Sequence, residues 1–312
     1  MRELETSTVF GPINSRRFGY SLGVDLSPNV KQCNFDCLYC ELGEKAETIA
    51  LQKEKIPSNL ILSDIKKSII KFKDVDVLTF TANGEPTLYE DLDYIVTEVK
   101  IILQKSPIKT LILSNSGNIW LPEIQQTLLK FDKVKLSLDC ATSDCFRKLD
   151  RPVKEINIDL ILAGIEKFAE IFQGELYLEV LFVEGINDNS DEVFKLNQFF
   201  GRLRNVKRID LGTVERPPTY AVKPISYSKI YELSQLFYRE LPIMIAKHQD
   251  KNIEKNSLSK SELMKTLSLR PLSHYDIVSL FDESTVENFQ TLLVEGLLQS
   301  IKIGNVEFYR PI

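Results

Sequence analysis

The sequence lacks long hydrophobic runs. No stretch of about 18 consecutive apolar residues occurs in the 312-residue chain, so no transmembrane helix is expected. The first ten residues, MRELETSTVF, are charged and lack the apolar centre of a signal peptide. We therefore predict a cytoplasmic protein with no membrane partner.

The chain also lacks a strong charge of one sign and has little histidine. Its net charge is -5, and it contains two histidines. This net charge does not imply a general polyanion-binding surface, but it is compatible with a local basic patch. At 43% hydrophobic residues the chain can bury a full core, and its length fits one large domain plus a small one.

Strand-like and helix-like segments alternate over residues 1–245. Amphipathic stretches such as residues 158–172, where apolar residues recur every three or four positions, separate short segments rich in Val, Ile and Leu. This repeat predicts an α/β domain with a parallel sheet, either a partial barrel or an open doubly wound sheet. The predicted strands are Ser21–Leu26, Asp76–Thr81, Lys109–Ser114, Val134–Asp139, Glu175–Val183 and Lys207–Val214.

The pattern changes after residue 245. The polar segment Lys247–Asn256 is predicted to be a linker. Three short helices and a hairpin that turns at Gly304-Asn305 then predict a small winged-helix-like α+β domain over residues 257–312. The predicted helix starts are the capping boxes Ser259-x-x-Glu262 and Ser284-x-x-Glu287, and Ser273 before the middle helix.

This second domain is not predicted to bind DNA. It contains five basic and seven acidic residues, and its third helix carries Glu287 and Glu295 without any Lys or Arg. Phosphate neutralisation supplies most non-specific affinity for DNA, and such a helix would repel it. A protein contact or a lid is the preferred interpretation.

Three of the five cysteines lie within eight residues, as Cys33, Cys37 and Cys40 in C-x3-C-x2-C spacing. Three thiolates can ligate three irons of a cubane cluster and leave the fourth iron open to a small chelating molecule. A structural zinc ion usually needs a fourth ligand, and both histidines lie far along the chain. We therefore rank zinc, and unligated cysteines, well below a cluster. Cys140 and Cys145 are interpreted as small buried residues, with a redox or methyl-accepting role as the alternative.

CNFDCLYC resembles the signature of the radical S-adenosylmethionine (SAM) superfamily. The segment Asn83-Gly84-Glu85-Pro86 follows the second predicted strand and resembles the family's Gly-Gly-Glu-Pro motif, with Asn83 in place of the first glycine. The resemblance implies a partial (β/α)6 barrel of the radical SAM type as the core over residues 1–245, a 4Fe-4S cluster on Cys33, Cys37 and Cys40, and SAM as a second cofactor. SAM contacts are then expected at Tyr39, Gly84, Glu85, Ser114, Ser137 and Asp139.

The resemblance also implies a mechanism. SAM would chelate the open iron and accept one electron, supplied by a donor such as flavodoxin or ferredoxin. Cleavage of the sulfonium would release a 5′-deoxyadenosyl radical that takes hydrogen from the substrate. The protein would supply binding, orientation and exclusion of water.

Four further segments resemble the subgroup related to the wyosine tRNA-base synthase, namely GPINSRRFGYSLGVDL, GEPT, FRKLDRP and VERPP. No cysteine precedes Cys33, so the resemblance does not extend to that synthase's second cluster. It implies a tRNA base or nucleotide-like anion as substrate. Arginines that could pair with its phosphate or with the SAM carboxylate are Arg16, Arg17, Arg147, Arg151 and Arg216, with surface salt bridges as the alternative for each.

Two alternative functions remain open from the same residues, and the second is less favoured than the first. A radical SAM enzyme acting on a peptide or small metabolite would use the acidic C-terminal domain for recognition. An iron-sulfur redox sensor with a winged-helix output needs a basic recognition helix, which the sequence lacks.

Overall fold

The computed structural model of the chain describes residues 7–15, 17–27, 30–42, 48–245, 255–303 and 306–312. Several sequence predictions fall outside these ranges. They are Arg16, most of the predicted linker with His248, and the Gly304-Asn305 turn.

Eight strands form one sheet whose spatial order follows the sequence. The first two strands pair antiparallel, and every later neighbour pairs parallel. All six predicted strands are confirmed, each within two residues of its predicted bounds. The strands are β1 (Val9–Ser15), β2 (Gly19–Asp25), β3 (Val77–Thr81), β4 (Lys109–Ser114), β5 (Lys133–Ser137), β6 (Glu175–Phe182), β7 (Val206–Thr213) and β8 (Ile243–Ile245).

Helices connect the parallel strands. Side-chain caps stabilise the first turns of the last four of these helices, as where Asn157 accepts a hydrogen bond from the Leu160 N–H. A short 3-10 helix, Pro86–Leu88, follows β3. The helices are α1 (Ser58–Lys71), α2 (Leu92–Ile102), α3 (Pro122–Leu128), α4 (Ser143–Leu149), α5 (Ile158–Ile171), α6 (Ser190–Phe200) and α7 (Tyr227–Ser234).

The strand order decides between the two predicted architectures. In a doubly wound sheet the order reverses at a switch point, where ligands bind. Here β2 to β8 follow one another without reversal, which is the order found in a barrel. The fold is therefore α/β with a mostly parallel sheet, consistent with a partial barrel, and loops after several strands meet at one end.

The C-terminal segment contains the three predicted helices and the two predicted strands, together with a two-residue strand that was not predicted. They are α8 (Lys260–Leu269), β9 (Leu272–Ser273), α9 (His274–Leu280), α10 (Glu283–Val294), β10 (Leu298–Ile303) and β11 (Val306–Pro311), with the strands in the order β10-β11-β9. The winged-helix-like assignment and the division into residues 1–245 and 257–312 stay predictions.

Two of the three predicted helix starts are confirmed. Ser259 with Glu262 forms a capping box, and Ser273 caps α9. The start at Ser284 was wrong, because Asp282 lies two residues earlier and its carboxylate accepts from the Thr285 N–H. Within the described ranges, no helix combines the length and apolar character needed to cross a bilayer.

The two faces of α1 predict opposite responses to mutation. Ile65 is fully buried, whereas Ile70 is 80% exposed in the same helix. Ile65→Ala should lower the free energy of unfolding by about 2 to 5 kcal/mol because it leaves a cavity in the core. The control Ile70→Ala should stay within about 0.5 kcal/mol of the parent. Urea unfolding followed by circular dichroism measures both, and equal losses would contradict this packing.

Candidate active site

The three clustered cysteines lie on the loop that follows β2. Cys33, Cys37 and Cys40 are free and partly buried. The end of α4 and the segment after β7 hold the loop by backbone hydrogen bonds, with Leu38 N donating to Leu149 O at 2.9 Å and Thr219 N donating to Cys40 O at 2.8 Å. The loop is therefore fixed by two parts of the chain distant in sequence.

Side chains strengthen the same attachment. The Arg151 guanidinium pairs with the Asp36 carboxylate and lies 4.4 Å from the centre of the Tyr220 ring. The Tyr220 hydroxyl also donates to Asp36, at 2.7 Å. Arg216 pairs with Glu41 at 3.1 Å. These two predicted substrate arginines thus already have carboxylate partners on the cysteine loop.

The loop after β3 touches the cysteine loop backbone to backbone. Gln32 N donates to Asn83 O at 2.8 Å, and Glu85 N donates to Gln32 O at 2.9 Å. Gly84 lies between these bonds at φ +131°, and a Cβ there would be 1.8 Å from Gln32 O. Only glycine fits this approach and this dihedral. The structure thus explains the glycine that the motif predicts.

The Glu85 side chain is hydrogen-bonded to other residues of the protein, whereas the sequence predicted a contact with SAM. Its side chain is buried, and it accepts hydrogen bonds from Thr87, from the Ser114 hydroxyl at 2.8 Å and from Asn115 N at 2.7 Å. Burial raises the pKa of this carboxyl, while the hydrogen bonds lower it. The side chain therefore joins the loops after β3 and β4.

Tyr39 and Asp139 meet beside the cysteines. The Tyr39 hydroxyl donates to the Asp139 carboxylate, which also accepts from Leu181 N at 2.7 Å. Burial raises the pKa of Asp139 to about 7 in spite of these bonds. Burial and the charge of Asp139 also raise the pKa of Asp150, which accepts from the Cys37 thiol at 3.5 Å. Burial thus disfavours the ionised form of both carboxyls relative to exposed ones.

The thiols fit a cluster better than a single metal ion. Burial, followed by the charge of Glu85, raises the pKa of Cys33 to about 12, and burial raises the pKa of Cys37 as well. A bound metal must therefore displace their protons. A structural zinc ion usually takes four protein ligands, whereas three free cysteines lie on this loop. Three thiolates suit a cubane cluster with one open iron, and Asn115 Nδ2 lies 3.6 Å from the Cys33 sulfur.

A cavity of about 460 Å³ opens between the cysteine loop and the strand ends. It is of a size that holds small molecules, which is about 300 to 1,000 Å³. Of the predicted residues, Asp139 and Glu85 are not among those that line the cavity. Asp139 accepts a hydrogen bond from Tyr39, and Glu85 accepts one from Ser114, and both donors line the cavity. Predicted residues that line it are Tyr39, Cys40, Gly84, Ser114, Ser137, Arg17 and Arg216.

The inner wall of the cavity carries two charges that were not predicted from the sequence, Lys135 and Glu179, beside the predicted Arg17. Lys135 and Arg17 both pair with the Glu179 carboxylate, and Arg17 Nε lies 3.5 Å from Asp210. The two cations lower the pKa of Glu179 to about 2 against the opposing effect of burial. The available signal was a charged residue between apolar neighbours inside a strand, as with Lys135 in β5 and Glu179 in β6.

Cys140 and Cys145 are buried, as predicted, but they also form a disulfide. Thr142 caps α4 between them and turns the chain, so that their Cα atoms are 5.7 Å apart. The Glu192 carboxylate accepts from Thr142 N at 3.0 Å and lies close to both sulfurs. Because the sulfurs are bonded to each other, this group is not a metal site.

Comparisons with known proteins identify the family that the chain resembles. The family model "Radical SAM superfamily" matches residues 30–196. A UPF0026 protein of Helicobacter pylori (strain ATCC 700392 / 26695) is 40% identical over 303 residues, covering 96% of each chain.

Solved structures share the fold at low sequence identity. A radical SAM methyltransferase from Sphaerobacter thermophilus superposes with a TM-score of 0.56 at 17% identity, covering 72% of this chain and 66% of the other. A structure described as TYW1 with a lysine-pyruvate adduct bound reaches a TM-score of 0.49 at 19% identity, covering 73% and 74%. A similarity at that level does not confirm the predicted wyosine subgroup.

Replacing Gly84 tests the contact between the two loops. Gly84→Ala should weaken SAM binding by at least about tenfold, because the added Cβ displaces either Gln32 or the loop after β3. Equilibrium dialysis with anaerobically reconstituted protein measures the Kd. Gly185→Ala is the matched control, since Gly185 also has a positive φ, +72°, but a Cβ there would meet no atom of the described residues within 4 Å. Equal Kd values for the two variants would contradict the role of Gly84.

Proposed function

The chain belongs to the radical SAM superfamily, and from this membership we propose that it modifies a base of an RNA substrate held beside SAM. It is a radical SAM enzyme, and the family implies SAM and a 4Fe-4S cluster. One observation carries the radical SAM part of the proposal, whereas the choice of substrate has separate supports. Three free cysteines lie on a loop joined to the Asn83–Glu85 backbone at the mouth of a cavity.

In this proposal each part of the site has one task. Cys33, Cys37 and Cys40 would hold the cluster, and the backbone around Gly84 would receive the SAM amino group. Ser137, Ser114 and Tyr39 line the cavity, where the two hydroxyls would bind the remainder of SAM and the aromatic ring would offer a flat surface to its adenine. When bound, the cofactors would supply reductive cleavage of the sulfonium and the radical chemistry that follows from it.

The walls around the cavity support the exclusion of water. Apolar side chains of β1, β4 and the β1–β2 connection line it, namely Phe10, Ile13, Phe18, Leu111 and Leu113. A reactive radical in such an enclosure meets the bound substrate before it meets solvent. We also propose a flavodoxin or ferredoxin as electron donor and the cytoplasm as location.

The choice of a nucleobase as substrate has two supports. Four segments of the chain resemble the wyosine-related subgroup, and the cavity has the size of a site for small molecules rather than for a duplex. Enzymes that modify a base inside a polynucleotide take that base out of the stack into such a pocket.

A small polar metabolite is the second candidate. Arg17, Arg151 and Arg216 are each paired with a carboxylate of the chain, so a substrate phosphate would have to compete for them. Lys135 and Glu179 place both signs of charge on the inner wall, and a small zwitterionic molecule could exchange its own charges for their mutual ion pair.

Cysteine variants test the first step of the proposed reaction. With SAM and a reductant under anaerobic conditions, the reconstituted protein should form 5′-deoxyadenosine, measured by mass spectrometry. Cys33→Ala, Cys37→Ala and Cys40→Ala should each abolish it, because each removes one cluster ligand. The double variant Cys140→Ala/Cys145→Ala should retain its iron content. Unchanged product formation in any of the three single variants would contradict the assignment.

RNA binding separates the two substrate classes. Fluorescence anisotropy with bulk tRNA should detect binding that weakens as salt rises, because phosphate contacts release counterions. A DNA duplex of similar length is the control and should bind more weakly. If tRNA does not bind even at low salt, the small metabolite becomes the better candidate.

A further inference from the structure

A lysine of the C-terminal segment reaches the end of β2 in the core. Lys265, on α8, is 8% exposed, and Asp25, the last residue of β2, is fully buried. Lys265 Nζ lies 3.6 Å from Asp25 Oδ2, an oxygen that has no hydrogen-bond partner among the described residues. The cation therefore faces a carboxylate oxygen that nothing else in the described chain satisfies.

The other oxygen of Asp25 holds the loop of the SAM motif. Asp25 Oδ1 accepts from Asn83 N at 2.9 Å and from Ser27 N at 3.1 Å. The Asn83 carbonyl in turn accepts from the Ser27 hydroxyl at 3.1 Å and from Gln32 N at 2.8 Å. Asp25 thus holds the Asn83 N–H, and Ser27, two residues after Asp25, holds the Asn83 carbonyl.

Each member of the pair depends on the other. Burial raises the pKa of Asp25 and lowers the pKa of Lys265, while the opposite charge of each partner, with Asp64 also near Lys265, acts against these shifts. Removing one member of a buried ion pair leaves the other charge uncompensated in a poorly solvated place. Asp25 without Lys265 would therefore draw in water or move, and the Asn83 N–H would lose its fixed acceptor.

The C-terminal end of α8 reaches the cavity. Leu269 ends α8, and together with Arg270 it lines the cavity. The Arg216 side chain donates from Nε to Pro271 O at 3.2 Å and from Nη1 to Glu41 on the cysteine loop. The C-terminal segment is thus linked to both loops of the proposed site, through Asp25 to the loop after β3 and through Arg216 to the cysteine loop.

We propose that Lys265 is a positioning residue for SAM, and that the C-terminal segment completes the SAM site by neutralising Asp25, which fixes the Asn83-Gly84 backbone. This inference rests on the proposed function. It assigns the acidic C-terminal segment a task inside the enzyme in addition to any contact with a partner.

The first test compares two lysines of α8 in the reconstituted full-length protein. Lys265→Met keeps the length of the side chain and removes its charge. The Kd for SAM should rise at least about tenfold while the iron content stays at the parent value. Lys260→Met is the control, because Lys260 is exposed and pairs with Glu295 away from Asp25. It should bind SAM as the parent does.

A charge-balanced double variant separates positioning from packing. In Asp25→Asn/Lys265→Met, the Asn carbonyl oxygen can still accept from Asn83 N and Ser27 N, and position 25 no longer carries a charge that needs Lys265. Its Kd for SAM should return to within about threefold of the parent value. A double variant as weak as Lys265→Met, a Lys265→Met protein that no longer folds, or one with parent affinity would each overturn the proposal.

Amide hydrogen exchange provides a readout that does not need SAM. In Lys265→Met, the peptide that contains Asn83 should exchange faster than in the parent, while Lys260→Met leaves it unchanged. If the parent itself does not bind SAM, the proposed function fails, yet this exchange still tests the link from Lys265 to Asn83. Unchanged exchange at Asn83 would overturn the link alone.

Discussion

The close approach of Gly84 to Gln32 is the constraint on which the site depends. It joins the loop after β2, which carries the cysteines, to the loop after β3 through two backbone hydrogen bonds. Backbone at this distance leaves no space for a Cβ, so the contact requires glycine. Because both loops leave the same end of a parallel sheet, one short contact fixes the cluster ligands relative to the proposed SAM-binding backbone.

Three buried carboxylates stabilise the positions of these loops. Glu85 joins the loops after β3 and β4, Asp36 receives Arg151 and Tyr220, and Asp25 holds Asn83 with Lys265 opposite. Buried carboxylates of this kind are costly unless donors surround them, so each one restricts its neighbours to few arrangements. The site is thereby held in place by side chains that need not touch a ligand themselves.

The sequence predicted the sheet well, because strands covered on both faces are short apolar runs separated by amphipathic helices. It missed β1, whose pairing is irregular between Phe10 and Ile13, and β8, which has three residues and too little pattern. The cysteines and Gly84 could be recognised because their roles depend on local spacing. Partnerships such as Lys265 with Asp25 could not, because they join residues distant in sequence and exist only after folding.

The central claim is that three cysteines leave one iron of the cluster open for SAM. Electron–nuclear double resonance of the reduced, reconstituted protein with SAM labelled with ¹⁵N at its amino group tests it most directly. We expect a nitrogen coupling to the cluster that disappears when SAM is omitted. Binding of SAM without any such coupling would contradict the claim, because the open iron would then not be the place where SAM binds.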